Sequence, residues 1–400
     1  MRVAIIGSGI TGLAAARALA PRHEVTIFEA AARPGGHVHT VDTPDGPVDM
    51  GFIVHNRDNY PRFCAMLAEL GVATRPTTMS FSVAHDGLEW GSATLSDLFA
   101  QRRRLVDPRH WRFLIEVLAL LRRARRDVER LGDESLDEYL ARARVSRDVR
   151  DRFVVPLAAA LWSLAPDKCG VFPAVSYFSF LARHGMLSPV RPLAWRTIVG
   201  GSRVYVDALV TRLGRLHVEL RLGTKVTAIE RDHGLVVDGE HFDRAIVATH
   251  ADTALALLAA PTEHERRVLG AFRYSTNRTV LHTDRSFLPE RVHASWNHVA
   301  DPDTSRVAVT YSMTRLQGLP DAPYLVTLEP RRPPRGVLHE VTFQHPQLDR
   351  AALAAQAEVP RLPGPVQFAG AHLGFGFHED GMRAGEAAAA RVERLEARLA

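Results

Sequence analysis

Lysine is almost missing from this chain. Only Lys168 and Lys225 occur, so nearly all of the 50 basic residues are arginine, against 45 acidic residues and a net charge of +5. Cysteine is as scarce. Cys64 and Cys169 give neither a disulfide framework nor a Cys-x-x-Cys spacing, and both read as buried or incidental thiols suited to a reducing cytosol. No run of about 18 apolar residues occurs, so no transmembrane helix is expected. The histidines lack a His-Glu-x-x-His arrangement, which leaves no recognisable metal site. An apolar strand is expected from residue 2, so no signal peptide is expected before it. What is present, 46% apolar and 24% charged, is the composition of a globular protein. Four hundred residues are too many for one simple core, so two domains are expected.

The strongest pattern lies in residues 2–40. Residues 3–6 form a short apolar run that suits a strand buried on both faces. Gly7, Gly9 and Gly12 follow with G-x-G-x-x-G spacing, and Ile10 and Thr11 fill the gap between the last two. The first glycine permits a tight turn, the second lets backbone approach a pyrophosphate, and the third lets a helix pack on the strand. Residues 13–20 continue that helix, whose N-terminus presents N–H groups to phosphates. Residues 24–28 form a second strand. Glu29 closes it, 22 residues after Gly7, where an acid accepts hydrogen bonds from a ribose; Ala30 stands beside it. No second glycine triplet of this kind occurs, so no separate nicotinamide-binding domain is expected.

Arg33-Pro34-Gly35-Gly36 comes four residues after Glu29 and resembles the R-x-G-G element of FAD-binding enzymes of the flavin amine oxidase superfamily. Asp49-Met50-Gly51-Phe52 resembles their D-x-G turn, which brings backbone against the flavin ring. The stretch VQFAGAHLGFGFHEDG, residues 366–381, resembles their closing strand, glycine-rich loop and final helix. The resemblance implies an α/β fold with non-covalently bound FAD. The FAD would sit in a discontinuous Rossmann-like domain of glutathione-reductase type, residues 1–75, 195–262 and 362–400. An α+β substrate domain, residues 76–194 and 263–361, would complete the chain. Arg33, Gly35, Gly36 and His37 would hold the pyrophosphate and ribityl region, Gly51 and Phe52 would face the flavin, and Val226 would meet the adenine. The last helix would aim its positive end at the pyrimidine edge, with Gly370, Phe377, His378, Glu379, Asp380 and Gly381 against the cofactor. Glu379 and Asp380 read either as catalytic carboxylates or as capping groups at a helix start. Taken with Gly36-His37-Val38-His39-Thr40, the ending resembles one bacterial branch of the superfamily. That branch is often encoded beside cyclopropane-fatty-acid-synthase-like methyltransferases, and some relatives act on fatty acyl chains. Three features depart from amine oxidases proper. His37 stands where they carry arginine, no cysteine lies near the C-terminal motif, and neither lysine falls in a motif like their flavin-facing lysine.

The rest of the chain gives weaker signals. Residues 60–70 carry a helical apolar stripe, and residues 78–90 read as a hairpin about Asp86-Gly87. The region 101–152 is basic and helical. Ten arginines fall in residues 101–130, around an apolar face with Trp111, Leu114, Ile115, Leu118 and Leu121. That face suits either a membrane surface or the protein's own core. Nucleic acid is a poorer fit, because no binding fold accompanies the charge. Residues 135–152 read as one helix opened by a Ser135–Glu138 capping box, with a break expected at Pro156. The aromatics at 177–181 could line a pocket or fill a core. Alternating segments between 275 and 343 read as further strands.

Together these features imply an FAD-dependent oxidoreductase of the cytoplasm, with peripheral contact at the inner face of the membrane as a second placement. In the leading reading a hydride leaves a carbon of a lipid or fatty-acyl substrate for the flavin, as in a dehydrogenase or desaturase. A redox-neutral fatty-acid double-bond isomerase, an amine oxidase and a partner-bound electron shuttle are the alternatives, the partner being a membrane surface or a methyltransferase. Candidate residues at the flavin face are His37, His39, His184, Trp195, His298, Tyr311, His345 and His372. His37 and His372 come first, because both lie inside flavin-adjacent motifs.

Overall fold

The computed structural model describes all residues except 86, 163–165, 184, 188–192, 232–233, 301–306, 320–322 and 397–400. Five parallel strands form one sheet, in the order Glu219–Arg221, Glu24–Phe28, Arg2–Ile6, Arg244–Val247 and Val366–Phe368. The central strand explains its own unbroken apolar run. Val3 and Ile5 face a cluster with the helices Ile10–Leu19, Arg203–Arg215 and His378–Glu396. Ala4 and Ile6 face a second cluster with the helices Ala251–Leu257 and Glu263–Leu269 and a small antiparallel meander. A parallel strand covered on both sides needs apolar residues at every position. The first and last helices cross closely. A Cβ at Gly385 would lie 2.1 Å from the Thr11 carbonyl oxygen, and one at Gly381 would lie 2.9 Å from Ile10.

A second sheet has seven strands. Its order is Val337–Gln347, Arg273–His282, Leu325–Leu328, Val307–Ser312, Trp296–Ala300, Phe81–His85 and Leu88–Gly91. All neighbours are antiparallel except Trp296–Ala300 and Phe81–His85. One face of this sheet shares an apolar cluster with the helices Pro108–Asp127, Leu136–Arg142, Val155–Trp162 and Ala174–Arg183. Between the two sheets lie the hairpin Thr40–Thr43/Gly46–Asp49 and a small antiparallel sheet of Val54–Asn56, Trp195–Ile198 and Thr74–Pro76.

Asp49 ties these pieces together. Its buried carboxylate accepts from the Thr40 hydroxyl, the Ser202 N–H and hydroxyl, and the Gln317 amide. Burial raises its pKa to about 6 against the pull of those donors.

Two sequence expectations are corrected. Residues 135–152 are not one helix. The Ser135–Glu138 capping box forms, but the helix Leu136–Arg142 stops before Arg144, which adopts a left-handed φ of 56°. Pro156 causes no break either. It sits in the first turn of Val155–Trp162, directly after a π-helical turn at Arg150–Val154. A first turn tolerates a residue without an N–H.

Candidate active site

A cavity of about 540 Å³ runs from the glycine-rich turn of the parallel sheet to the inner face of the seven-stranded sheet. At one end it is lined by Gly7, Gly9, Ile10, Thr11, Glu29, Gly35 and Gly36. Gly7 has φ +102°, and a Cβ there would lie 2.9 Å from the Ala248 carbonyl. Gly9 is open instead: a Cβ there would meet nothing within 4 Å and would project into the space. The helix that starts at Ile10 has no side-chain cap and no acidic residue in its first turn. Its first N–H groups are therefore available to an anion. Glu29 accepts from the Ser8 N–H and hydroxyl at 2.8 and 2.6 Å and from the Ala31 N–H at 2.9 Å. A carboxylate held this way still has lone pairs for hydroxyl donors.

The middle of the cavity is walled by imidazoles. His37, His250, His345, His372 and His378 all line it. Gln344 joins two of them. Its carbonyl lies 3.0 Å from His37 Nε2, and its side chain lies 3.2 Å from His250 Nδ1. A carbonyl only accepts, so His37 carries its proton on Nε2 and keeps a lone pair on Nδ1. His345 Nδ1 accepts from Asn277 at 2.8 Å. His378 Nε2 meets the Tyr205 hydroxyl at 2.8 Å, and its ring stacks on Phe52 at 3.7 Å. The Nε2 of His372 is buried without a partner. Burial first, then neighbouring imidazoles, lowers these groups: His37 and His345 to about 4, His372 and His378 to about 3. The wall is uncharged at neutral pH.

The far end is apolar. Met79, Leu161, Phe180, Trp296, Tyr311, Leu316 and Leu328 line it, and Phe375 and Phe377 close it from the C-terminal loop. Trp296 and Tyr311 meet edge to face at 5.5 Å. Among the described lining residues, Glu29, at the opposite end, is the one carboxylate, and none is an arginine or lysine.

Thirteen of the sequence-predicted cofactor residues line this cavity: Gly7, Gly9, Ile10, Thr11, Glu29, Gly35, Gly36, His37, Gly51, Phe52, Gly370, Phe377 and His378. The others are placed differently. Gly12 lies in the first turn of the helix Ile10–Leu19, packed on the glycine turn, where a Cβ would lie 1.9 Å from the Gly7 carbonyl. Arg33 donates to the carbonyls of its own loop, at Val38 and Gly36. Ala30 is exposed beside Glu29, and Val226 is buried beside Phe28 in the second core cluster. Glu379 accepts from the Arg62 and Phe63 N–H groups at 3.1 Å, so it caps the start of the helix Pro61–Glu69. Asp380 accepts from the Phe375 and Phe377 N–H groups and pairs with Arg383. Gly381 serves the helix crossing.

Of the candidates for the flavin face, His37, Trp195, Tyr311, His345 and His372 line the cavity. His39 instead meets His339, with their Nε2 atoms 2.9 Å apart. His298 is buried in the seven-stranded sheet, paired in register with Val83 and Val309. His184 lies outside the described residues. Sequence reasoning missed His250, Tyr274 and Gln344. His250 comes three residues after the end of the strand at 244–247, and the carboxyl ends of parallel strands are where such sheets hold ligands. That position was the available signal.

A parallel sheet with a glycine turn at its switch point, an uncapped helix start and an acid at the second strand's end defines a dinucleotide-binding oxidoreductase. The open position at Gly9 and the free first-turn N–H groups fit the pyrophosphate of FAD. The comparisons agree. Residues 10–344 match the family described as flavin containing amine oxidoreductase, and the chain belongs to that family. FAD is the cofactor, and the family's members are FAD-dependent oxidoreductases. AofH of Mycobacterium tuberculosis, whose name assigns it provisionally to the flavin-containing monoamine oxidases, is 30% identical over 251 residues. The match covers 58% of this chain and 52% of that protein, so the chain spans about half the length of this curated relative. Among solved structures, cyclohexylamine oxidase from Brevibacterium oxydans IH-35A superposes with a TM-score of 0.72 at 19% identity, covering 99% of both chains. A CLA-producing fatty acid isomerase from P. acnes superposes with a TM-score of 0.70 at 16% identity, covering 98% of both chains. These likenesses establish the shared fold.

Proposed function

We propose that this protein is an FAD-dependent oxidoreductase whose substrate is a lipid or fatty-acyl chain, oxidised at a carbon held in the apolar end of the cavity. FAD, when bound, supplies a hydride acceptor. The residues of the chain do the rest. The glycine turn and the first helix bind the diphosphate, and Glu29 orients a ribose. Phe52 and His378 brace the middle of the cavity. His37, fixed on the Gln344 carbonyl, offers Nδ1 as a weak proton acceptor beside the reacting position. Phe180, Trp296, Tyr311 and Leu328 bind the chain and exclude water.

One observation carries the substrate class. The far end is lined by apolar and aromatic side chains, with no carboxylate or cation among the described residues there. An ammonium substrate placed there would lose its hydration and gain no counter-charge, which is costly. An acyl chain loses nothing of the kind. Anaerobic mixing tests this. Unsaturated or methyl-branched acyl lipids should bleach the visible flavin band, and benzylamine or putrescine should not. If only amines bleach it, the substrate reading fails.

A redox-neutral double-bond isomerase is the second reading, supported by the fold shared with the fatty acid isomerase. Product mass separates the two, since oxidation removes two hydrogens and isomerisation removes none.

A further inference from the structure

The helix Pro108–Asp127 has two apolar faces, and only one is used inside the protein. His110, Phe113, Leu120, Leu121 and Ala124 are buried. Phe113, Leu120, Leu121 and Ala124 belong to the apolar cluster that also holds Phe180, Phe375 and Phe377 of the cavity wall. On the opposite side Trp111, Ile115 and Leu118 recur with Arg122 at i, i+4, i+7 and i+11, a single stripe at 100° per residue. Trp111 is 45% exposed and Ile115 is 63% exposed. The preceding turn, Arg102–Val106, adds Leu105 and Val106, the latter 85% exposed. The Trp111 indole N–H donates to the Leu105 carbonyl, which joins turn and helix into one surface.

Charge frames this stripe. Arg123 pairs with Asp127, and Arg104 pairs with Asp107. Arg112, Arg122, Arg125 and Arg126 are exposed, and none has a carboxylate partner among the described residues. Four uncompensated guanidiniums around a tryptophan-bearing apolar stripe are complementary to an anionic interface with apolar material just beneath it. A nucleic acid would match the arginines but not the exposed isoleucine, leucine and tryptophan between them; a protein interface would accept both, and the oligomeric state reads that outcome.

We infer that this face docks on the surface of an anionic lipid bilayer. Trp111, Ile115, Leu118 and Val106 enter the headgroup boundary while Arg112, Arg122, Arg125 and Arg126 meet lipid phosphates. The inference stands apart from the substrate reading, because vesicle binding is measured without turnover. It also gives the apolar cavity a source of acyl chains one helical layer away.

The test is flotation of the FAD-loaded protein with vesicles of phosphatidylcholine alone and of an equal phosphatidylcholine–phosphatidylglycerol mixture, at low and high salt. Binding is expected to the anionic vesicles only, weakened by salt. The pair Ile115→Glu/Leu118→Glu and the pair Arg122→Glu/Arg126→Glu should each weaken it by about tenfold or more. Both should retain wild-type circular dichroism and flavin absorbance. Equal binding to both vesicle types, no binding to either, or variants that float like wild type would overturn the inference. So would a change of oligomeric state in the first pair, or binding of duplex DNA where vesicles are refused.

Discussion

Stability should collapse between pH 7.5 and 5.5, and buried imidazoles set the size of the effect. His55, His282, His298, His372 and His378 are all buried. Burial, with smaller charge effects, lowers His55 and His282 to about 4 and the other three to about 3. Their geometry agrees. His282 is committed at both nitrogens, accepting from the Asp284 N–H and facing the Thr327 hydroxyl. His55 Nδ1, His298 Nδ1 and His372 Nε2 have no partner to receive a proton's hydrogen bond. A histidine with a folded pKa below its unfolded value near 6.5 stabilises the fold fully only above that value. As pH falls below it, the unfolded chain takes up protons that the folded chain refuses. At pH 5.5 each such group has lost about 1.4 kcal/mol, so the five together have lost about 7 kcal/mol as a ceiling. Asp49 acts in the opposite sense, because its raised pKa favours the folded state as pH falls, and returns about 1 kcal/mol. Glu379 and Asp380, also raised by burial, share that sign. The remainder is comparable to the whole stability of a typical domain, about 5–15 kcal/mol. Urea unfolding of the FAD-loaded protein, followed by tryptophan fluorescence at the two pH values, measures it. A midpoint that is equal or higher at pH 5.5 would refute the reasoning.

Three further outcomes follow from the contacts. Gly12→Ala puts a Cβ 1.9 Å from the Gly7 carbonyl. It should cost about 1–3 kcal/mol, and the purified protein should carry less FAD, read from its visible absorbance. Glu379→Ala should lower stability by about 1–2 kcal/mol, because the helix Pro61–Glu69 loses its acceptor. Its kcat should stay within about twofold of wild type, and a larger loss would return Glu379 to the catalytic role. Asp49→Ala strands the Ser202 N–H and the Gln317 amide, and should cost about 3 kcal/mol or more in urea unfolding.

The parts legible in the sequence are those whose partners are close along the chain. Residues 3–6, the glycine turn and Glu29 form one local unit, and Glu29 reaches Ser8 across 21 residues. The strands at 273–347 were legible because alternation survives wherever one face is buried. Long-range pairings left no local trace. Glu379 caps a helix 316 residues earlier, and a capping acid looks the same as a catalytic one in sequence. Arg33 shows a related limit: its place beside paired glycines is readable, but the turn of its guanidinium onto Val38 and Gly36 is not. The split at Arg144 depends on one left-handed residue that no glycine or asparagine announces.

The wall of the cavity is the more instructive case, because strand pleating decides it. In Val337–Gln347 the residues His339, Val341, Phe343 and His345 point to one face, and Leu338, Glu340, Thr342 and Gln344 to the other. The first set gives His39 its partner at His339 and stacks Phe343 on His37 at 5.2 Å. Leu338, Glu340 and Thr342 face outward, where Glu340 pairs with Arg278, while Gln344, at the cavity end of the strand, turns its side chain to His250. Reading Val341 and Phe343 as an inward pair already implies His339 and His345 two residues on either side. The register against Arg273–His282 runs without a shift from Arg273 to Leu281. A slip of one residue there would bring Glu340 and Thr342 inward and carry His345 away from Asn277. The uncharged character of this strand's share of the wall thus rests on a pairing register, because Glu340 is one position from the inward-facing His339 and Val341.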